Sequence, residues 1–196
     1  MTKPFGADTA LLSIDVQYGV DDLQHWGGPR GRRNNPQAEE NIARLLDAWR
    51  RRSFPVFHTQ HDSTEATSPL RLSIPGGRIK EEAAPVEGEN VIVKDVHSAF
   101  IGTRFPLLLR RMDVRRLVCV GFFTNMCVAT TVRMAQNLGF DTYCVTDATS
   151  CTNRVARDGT DYDPEVVHEI TLATLHREIC TVLTTGEALA LTGANH

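Results

Sequence analysis

Short apolar runs of strand length alternate with amphipathic helical patterns along almost the whole chain. Most of these runs are rich in Val and Ile and show little polar alternation, which is typical of strands buried on both faces of a sheet. The predicted strands are Ala10–Val16, Pro55–Gln60, Asn90–Lys94, Leu117–Gly121, Thr142–Thr146 and Cys180–Leu183. Because strands and helices alternate, the pattern predicts a three-layer α/β/α fold with a mostly parallel, doubly wound sheet of six strands.

Four segments between the strands have the spacing of helices. In the first, an apolar stripe runs from Ile42 to Trp49, Asn35 is placed to cap the helix, and Pro36 suits its first turn. The other helices are predicted at Arg104–Met112, from about Cys127 to Gly139, and from about Pro164 to Arg177. Each should place its apolar stripe against the sheet.

Length and one irregular segment set the expected domain organisation. A chain of 196 residues fits a single domain, residues 1–196, built around one sheet. Residues 61–88 contain Ser, Thr, Pro and Gly without any periodicity. Because a connection this long inside a compact domain is more often functional than idle, we expect 61–88 to be a loop or lid beside the active site.

The charge balance disfavours nucleic acid and membrane partners. Acidic and basic residues number 24 and 21, so there is no excess of positive charge to release counterions from nucleic acid or to bind an anionic membrane. The first apolar run contains Asp15, unlike a secretion signal, and no segment has the length and apolarity of a membrane span. The five cysteines are widely spaced and lack a C-x-x-C pattern, which favours a reducing, cytoplasmic compartment.

Three residues with catalytic potential follow different predicted strands. Asp15 ends the first strand, Lys94 ends the third, and Cys127 follows the fourth across a short turn. Each alone has an ordinary interpretation, as a loop cap, a solvated lysine or a small core side chain. However, ligands bind at the carboxyl ends of strands in a doubly wound sheet, so all three can share one crevice.

Their chemistry fits nucleophilic catalysis without a histidine. A thiol at the start of a helix, near the ammonium of Lys94, should have a lowered pKa and favour the thiolate. The carboxylate of Asp15 can take the thiol proton of Cys127 and deliver it to a leaving nitrogen. The three ionisations should behave as a coupled set.

Three segments of the sequence carry a resemblance to a known family. Ala10–Gln17 contains Asp15, Lys94 precedes the motif Ser98–Thr103, and Val120–Val128 contains the cysteine. Together they resemble the isochorismatase-like family of cysteine hydrolases, which includes nicotinamidases, carbamoylsarcosine-type amidohydrolases and ureido-compound amidases. The cysteine segment is the most specific of the three, and the resemblance extends over most of the chain.

This resemblance implies a catalytic triad of Asp15, Lys94 and Cys127 that cleaves a C–N bond through a thioester. We expect no cofactor. It also implies a cis peptide between Phe122 and Phe123, with the N–H groups of Phe123 and Cys127 forming an oxyanion hole. The expected substrate is a small amide, ureido compound or lactam, together with water. Candidate substrate contacts are Gln17, His61, His97, Phe100 and Phe122.

One region departs from the family pattern. Nicotinamidases, among the members that this chain resembles, carry a metal site after the second strand. This chain has His58, His61 and Asp62 there. These residues could form a weak metal site. We favour no metal, with His61 as a loop or substrate-contacting residue.

Two other functions remain open from the sequence. An isochorismatase-type vinyl-ether hydrolase would not need a cysteine nucleophile, so the presence of Cys127 favours acyl chemistry instead. A thiol redox sensor that uses Cys127 and Cys151 would not explain Asp15 and Lys94. Because relatives commonly self-associate, we expect a homo-oligomer, either a dimer or a tetramer.

Overall fold

The computed structural model describes residues 3–193, and a six-stranded parallel sheet forms its centre. The strands of this sheet are β1 (Thr9–Ile14), β2 (Val56–His61), β3 (Asn90–Lys94), β4 (Arg116–Phe122), β5 (Asp141–Ser150) and β8 (Thr181–Leu183). A separate antiparallel pair is formed by β6 (Arg154–Val155) and β7 (Asp161–Tyr162). All pairings in the main sheet are parallel, in the order β3-β2-β1-β4-β5-β8, which confirms the predicted doubly wound sheet.

Helices cover both faces of the sheet. They are α1 (Leu23–Gly27), α2 (Ala38–Arg51), α3 (Phe105–Arg111), α4 (Ala129–Asn137), α5 (Pro164–Leu175) and α6 (Thr185–Leu191). Two buried clusters take alternate residues of the same strands, so they lie on opposite faces. One packs α2 and α6 against the sheet, and the other packs α3, α4 and α5, which gives the predicted three layers. None of the described helices is long and apolar enough to cross a membrane.

The predicted cap of the first long helix is wrong. Helix α2 begins at Ala38, and Asn35 lies three residues earlier in a left-handed backbone conformation, with φ of 45°. Its side-chain amide donates hydrogen bonds to the carbonyl oxygens of Thr146 and Thr149, at 2.9 and 2.8 Å. Asn35 therefore ties the segment before α2 to β5 instead of capping the helix.

The predicted third helix begins differently from its pattern. Residues Thr124–Val128 form one turn of π-helix, and α4 follows directly from Ala129. Cys127 therefore sits in the tight turn that joins β4 to α4. The predicted end of this helix is confirmed, because Gly139 takes a φ of +86° just after the last turn.

Strands β1 and β4 approach each other very closely at their carboxyl ends. Gly121 has a φ of +114°, and a Cβ atom there would lie 2.1 Å from the carbonyl oxygen of Ile14. Only glycine fits this position, because any side chain would collide with the backbone of β1. The sheet order reverses between these two strands, which is where a doubly wound fold opens a ligand crevice.

Candidate active site

The three residues predicted to be catalytic meet at this reversal point. Lys94 Nζ donates a hydrogen bond to Asp15 Oδ2 at 2.6 Å, and the two side chains are 0% and 1% exposed. The Cys127 Sγ lies within 4.8 Å of an Asp15 carboxylate oxygen. A buried ion pair therefore lies beside a thiol, as the order of the strands led us to expect.

The carboxylate of Asp15 is held on both of its oxygens. Thr59, on the neighbouring strand β2, donates its hydroxyl to Asp15 Oδ1 at 2.5 Å and accepts the backbone N–H of Asp15 at 3.1 Å. Lys94 bonds the other oxygen. Asp15 itself has a left-handed φ of 50°, so its backbone turns sharply just after β1. The carboxylate thus has a fixed position before any ligand arrives.

The ammonium of Lys94 has a partner for each of its three N–H groups. Besides Asp15, these are the carbonyl oxygen of Val96 and the Nδ1 atom of His61, both at 3.2 Å. Because an ammonium can only donate, His61 Nδ1 must act as an acceptor. Burial, followed by the positive charge of Lys94, lowers the pKa of His61, which is consistent with a neutral imidazole.

The prediction of a lowered thiol pKa is wrong. Burial raises the pKa of Cys127, the negative charge of Asp15 raises it further, and the opposing effect of Lys94 does not compensate. The sequence suggested the helix start and Lys94 as dominant influences, but it could not show that the thiol is buried. The raised pKa favours the protonated thiol, so catalysis by this sulfur requires a base to remove its proton.

A cavity of about 200 Å³ opens onto Cys127 and Asp15. Trp26 and Phe123 form part of its wall, with their rings 5.1 Å apart in an edge-to-face arrangement. The segment 61–88 contributes five further lining residues, one of them the apolar Leu70. Lining residues that the sequence did not indicate are Val20, Trp26, Ser63, Glu65, Ser68, Leu70 and Met126.

Three of the five candidate substrate contacts line this cavity, namely His61, His97 and Phe122. The structure corrects the other two. Gln17 is buried outside the lining, and its amide bonds the backbone N–H and carbonyl of His61 and the carbonyl of Gly77, at 2.8 to 3.0 Å. Phe100 packs in the core against other phenylalanine rings. Neither side chain is therefore among those that line the cavity.

The peptide bond between Phe122 and Phe123 is cis, as the family resemblance implied. Phe123 and Cys127 both line the cavity, on the same strand-to-helix connection. That the backbone N–H groups of Phe123 and Cys127 form an oxyanion hole stays a prediction.

His58, His61 and Asp62, the residues weighed as a metal site, do not form a cluster of ligands in the described part of the chain. His58 is buried with its Nε2 2.9 Å from a Glu89 carboxylate oxygen, and Asp62 accepts the backbone N–H of Leu72. In the described part of the chain, the potential ligands that do come together are Asp15, His61 and Cys127. Lys94 bonds two of these three, so a positive side chain already lies where a cation would have to bind.

A buried histidine contacts the turn Thr124–Val128, which contains Cys127. His168, on α5, has its Nδ1 2.9 Å from Thr124 Oγ1 and its Nε2 3.2 Å from Thr146 Oγ1. Burial lowers its pKa and keeps it neutral, so one ring nitrogen donates and the other accepts. Sequence reasoning missed this residue because its partners are 22 and 44 positions away.

A family model described as "Isochorismatase domain" matches residues 9–185, which covers most of the chain and the whole site. This chain belongs to the isochorismatase family. It is similar over 180 residues to the isochorismatase family protein YrdC of Bacillus subtilis (strain 168), with 41% identity over 92% of this chain and 94% of that protein. It is also 30% identical to Nicotinamidase 3 of Arabidopsis thaliana, over 85% of this chain and 79% of that protein.

A solved isochorismatase-family structure agrees with this assignment. The protein from Chromobacterium violaceum ATCC 12472 has a TM-score of 0.90 and 40% identity, and all of both chains is covered. The chain is therefore an isochorismatase-family hydrolase with the fold of that family.

Proposed function

We propose that this isochorismatase-family hydrolase is a cysteine-dependent amidohydrolase, which cleaves a C–N bond of a small amide, ureido compound or lactam through a thioester. One observation carries the proposal. The carboxylate of Asp15 is held by Lys94 at 2.6 Å and lies within 4.8 Å of the Cys127 sulfur, and both Asp15 and Cys127 line a cavity of about 200 Å³. This is a nucleophile with a base and a counter-ion within reach.

The raised pKa of the thiol assigns the first step to Asp15. As the substrate carbonyl approaches, the carboxylate takes the proton of Cys127, and the sulfur attacks the carbonyl carbon. Asp15 then gives this proton to the departing nitrogen, which leaves as ammonia or an amine. Lys94 keeps its bond to Asp15 and balances the charge throughout.

The size of the cavity supports a small substrate. About 200 Å³ is less than the volume typical of sites for drug-sized ligands. The aromatic wall of Trp26 and Phe123 suits an apolar or planar group, and the serines of 61–88 suit a polar one. Nicotinamidase 3, one of the relatives, is named for an amide substrate of this size class.

A substrate panel tests the proposal. Primary amides, carbamoyl compounds and cyclic amides would be assayed for release of ammonia or acid, with wild type, Cys127→Ala and the control Cys180→Ser, which changes a buried thiol outside the cavity. We expect Cys127→Ala to lower turnover by at least about 10³-fold and Cys180→Ser to leave most of it. Full activity in Cys127→Ala, or release of pyruvate from a vinyl ether with no amide turned over, would contradict the proposal.

A further inference from the structure

A second histidine of the cavity lies directly against the nucleophile. His97 Nδ1 is 3.5 Å from Cys127 Sγ. Among the described residues, no other hydrogen bond of the His97 ring is seen. His97 is an exposed residue, and its ring lies nearly parallel to that of His61, with centroids 6.4 Å apart. The thiol of Cys127 thus faces Asp15 on its buried side and His97 on its exposed side.

The two sides suit different halves of a thioester reaction. Asp15 lies beside the sulfur but is 1% exposed and hydrogen-bonded on both oxygens, whereas His97 is exposed, so His97 is the more accessible of the two to water that arrives from solvent. Hydrolysis of the thioester needs a base on the side from which water arrives. His97 occupies that side within hydrogen-bond reach of the sulfur.

We propose that His97 is a second acid–base residue of this site, which acts on the water that hydrolyses the acyl-enzyme. Its imidazole takes a proton from water while the oxygen bonds to the thioester carbonyl carbon. When the C–S bond of the resulting tetrahedral intermediate breaks, the imidazolium returns the proton to Cys127 Sγ, and the acid is released. The inference rests on the proposed function, because it needs a thioester at Cys127.

The neighbouring histidine, His61, is not placed to act as this base. His61 Nδ1 is engaged by the ammonium of Lys94 at 3.2 Å, so that nitrogen cannot accept a proton without breaking the bond. Among the described residues, the side-chain hydrogen-bond contact of the His97 ring is the sulfur itself, and no cation bonds its Nδ1. The geometry therefore distinguishes the two parallel rings.

Burst kinetics with p-nitrophenyl acetate separate the two half-reactions. Release of p-nitrophenolate reports acylation of Cys127, and the steady rate after the burst reports deacylation; intact-mass spectrometry counts the acetyl group. We expect His97→Gln to keep the burst, to lower the steady rate by about 10²-fold or more, and to accumulate acetyl-enzyme. The matched control His176→Gln changes an exposed histidine at the end of α5 and should behave as wild type.

Chemical rescue distinguishes proton transfer from a structural role. In His97→Ala, free imidazole should restore deacylation in a concentration-dependent way, after subtraction of the same reaction with Cys127→Ala. A wild-type deacylation rate in both His97 variants would overturn the role of His97 and leave the proposed function standing, as would slow deacylation that imidazole does not restore. If wild type forms no acetyl-enzyme, the thioester mechanism fails, and this inference fails with it.

Discussion

At the scale of single residues, the ion pair of Asp15 and Lys94 is expensive to bury. Both side chains are at most 1% exposed, and removing such charges from water costs several kcal/mol each. The hydroxyl of Thr59 and the carbonyl of Val96 offset part of this cost by hydrogen bonding the two charges. The pair is thus better explained by chemistry than by stability, and the loss of one charge should be worse than the loss of both.

We expect Asp15→Asn to lower the free energy of unfolding by about 3 to 5 kcal/mol, because it leaves the ammonium of Lys94 buried without a counter-ion. The double variant Asp15→Asn with Lys94→Met should recover part of this loss, since no buried charge remains. Both variants should lose amide turnover by at least about 10²-fold, because the proton acceptor is gone. Urea denaturation followed by circular dichroism measures the stability, and a double variant less stable than the single one would contradict the argument.

A second prediction concerns the ionisation of Cys127. An ordinary cysteine has a pKa of about 8.5, whereas burial and the charge of Asp15 raise the pKa of this one. A raised pKa means that the neutral thiol persists to higher pH. The thiolate absorbance of wild type, after subtraction of Cys127→Ala, should therefore stay flat across neutral pH and rise only at a higher pH than that of an ordinary cysteine.

Asp15→Asn serves as the companion measurement for this ionisation. It removes a negative charge that disfavours the thiolate and leaves the positive charge of Lys94, so thiolate should form at lower pH than in wild type. Thiolate already present in the ligand-free wild type at neutral pH would show that the helix start and Lys94 dominate after all.

At the scale of elements, local pattern predicted most of what local pattern can determine. The six strands and four helices follow from apolar periodicity, and each lies within a few residues of its predicted place. Helix α6 was missed although it begins with a capping box, in which Thr184 and Glu187 cap each other. Asn35 was misread because its partners belong to β5, more than a hundred residues away, and no local signal reports them.

The contact between β1 and β4 yields the prediction at this scale. In Gly121→Ala, the new methyl group would meet the backbone of Ile14 at 2.1 Å, at a φ that is already unfavourable for alanine. We expect a loss of more than about 3 kcal/mol of stability or failure to fold, since backbone cannot move aside as a side chain can. Differential scanning calorimetry of the variant and wild type measures this loss of stability.

Gly139→Ala is the matched control for the contact. Gly139 also has a positive φ, of +86°, but no atom lies within 4 Å of where its Cβ would be. It should therefore lose only the cost of the backbone conformation, about 1 kcal/mol. Equal losses in the two variants would show that the close approach of β1 and β4 has no energetic weight.

At the scale of the whole molecule, the site was predictable to the extent that topology determines it. The meeting of Asp15, Lys94 and Cys127 could be predicted because parallel strands bring their carboxyl ends to one side of the sheet, wherever they lie in the sequence. The residues of the cavity wall could not be predicted in this way, because they depend on which way individual side chains point after folding. Gln17 and Phe100 point into protein, whereas Trp26 comes from a helix of five residues with no strong pattern.

The segment 61–88 owes its position to a few buried bonds that no periodicity reveals. Gln17, just after β1, bonds both backbone groups of His61 and the carbonyl of Gly77. The backbone N–H of Lys80 donates to the carbonyl of Val16, and its ammonium bonds Glu39 on α2 at 2.7 Å. The end of this segment is therefore bonded to the residues that follow β1 and to α2, while its earlier part, with Ser63 and Leu70, faces the cavity.

Gln17→Leu tests whether this fastening shapes the site. The substitution keeps the volume but leaves the N–H and carbonyl of His61 without the bonds that Gln17 supplies, so we expect a loss of about 2 to 3 kcal/mol of stability. Gln60→Leu is the matched control, because it removes only one bond to Gly77, whose carbonyl keeps its bond from Gln17. Hydrogen exchange measured by mass spectrometry should show faster exchange across 61–80 in Gln17→Leu than in Gln60→Leu. Because His61 carries the acceptor for Lys94, the same variant should also weaken substrate binding, and equal exchange in the two variants would show that 61–88 is held by its other contacts.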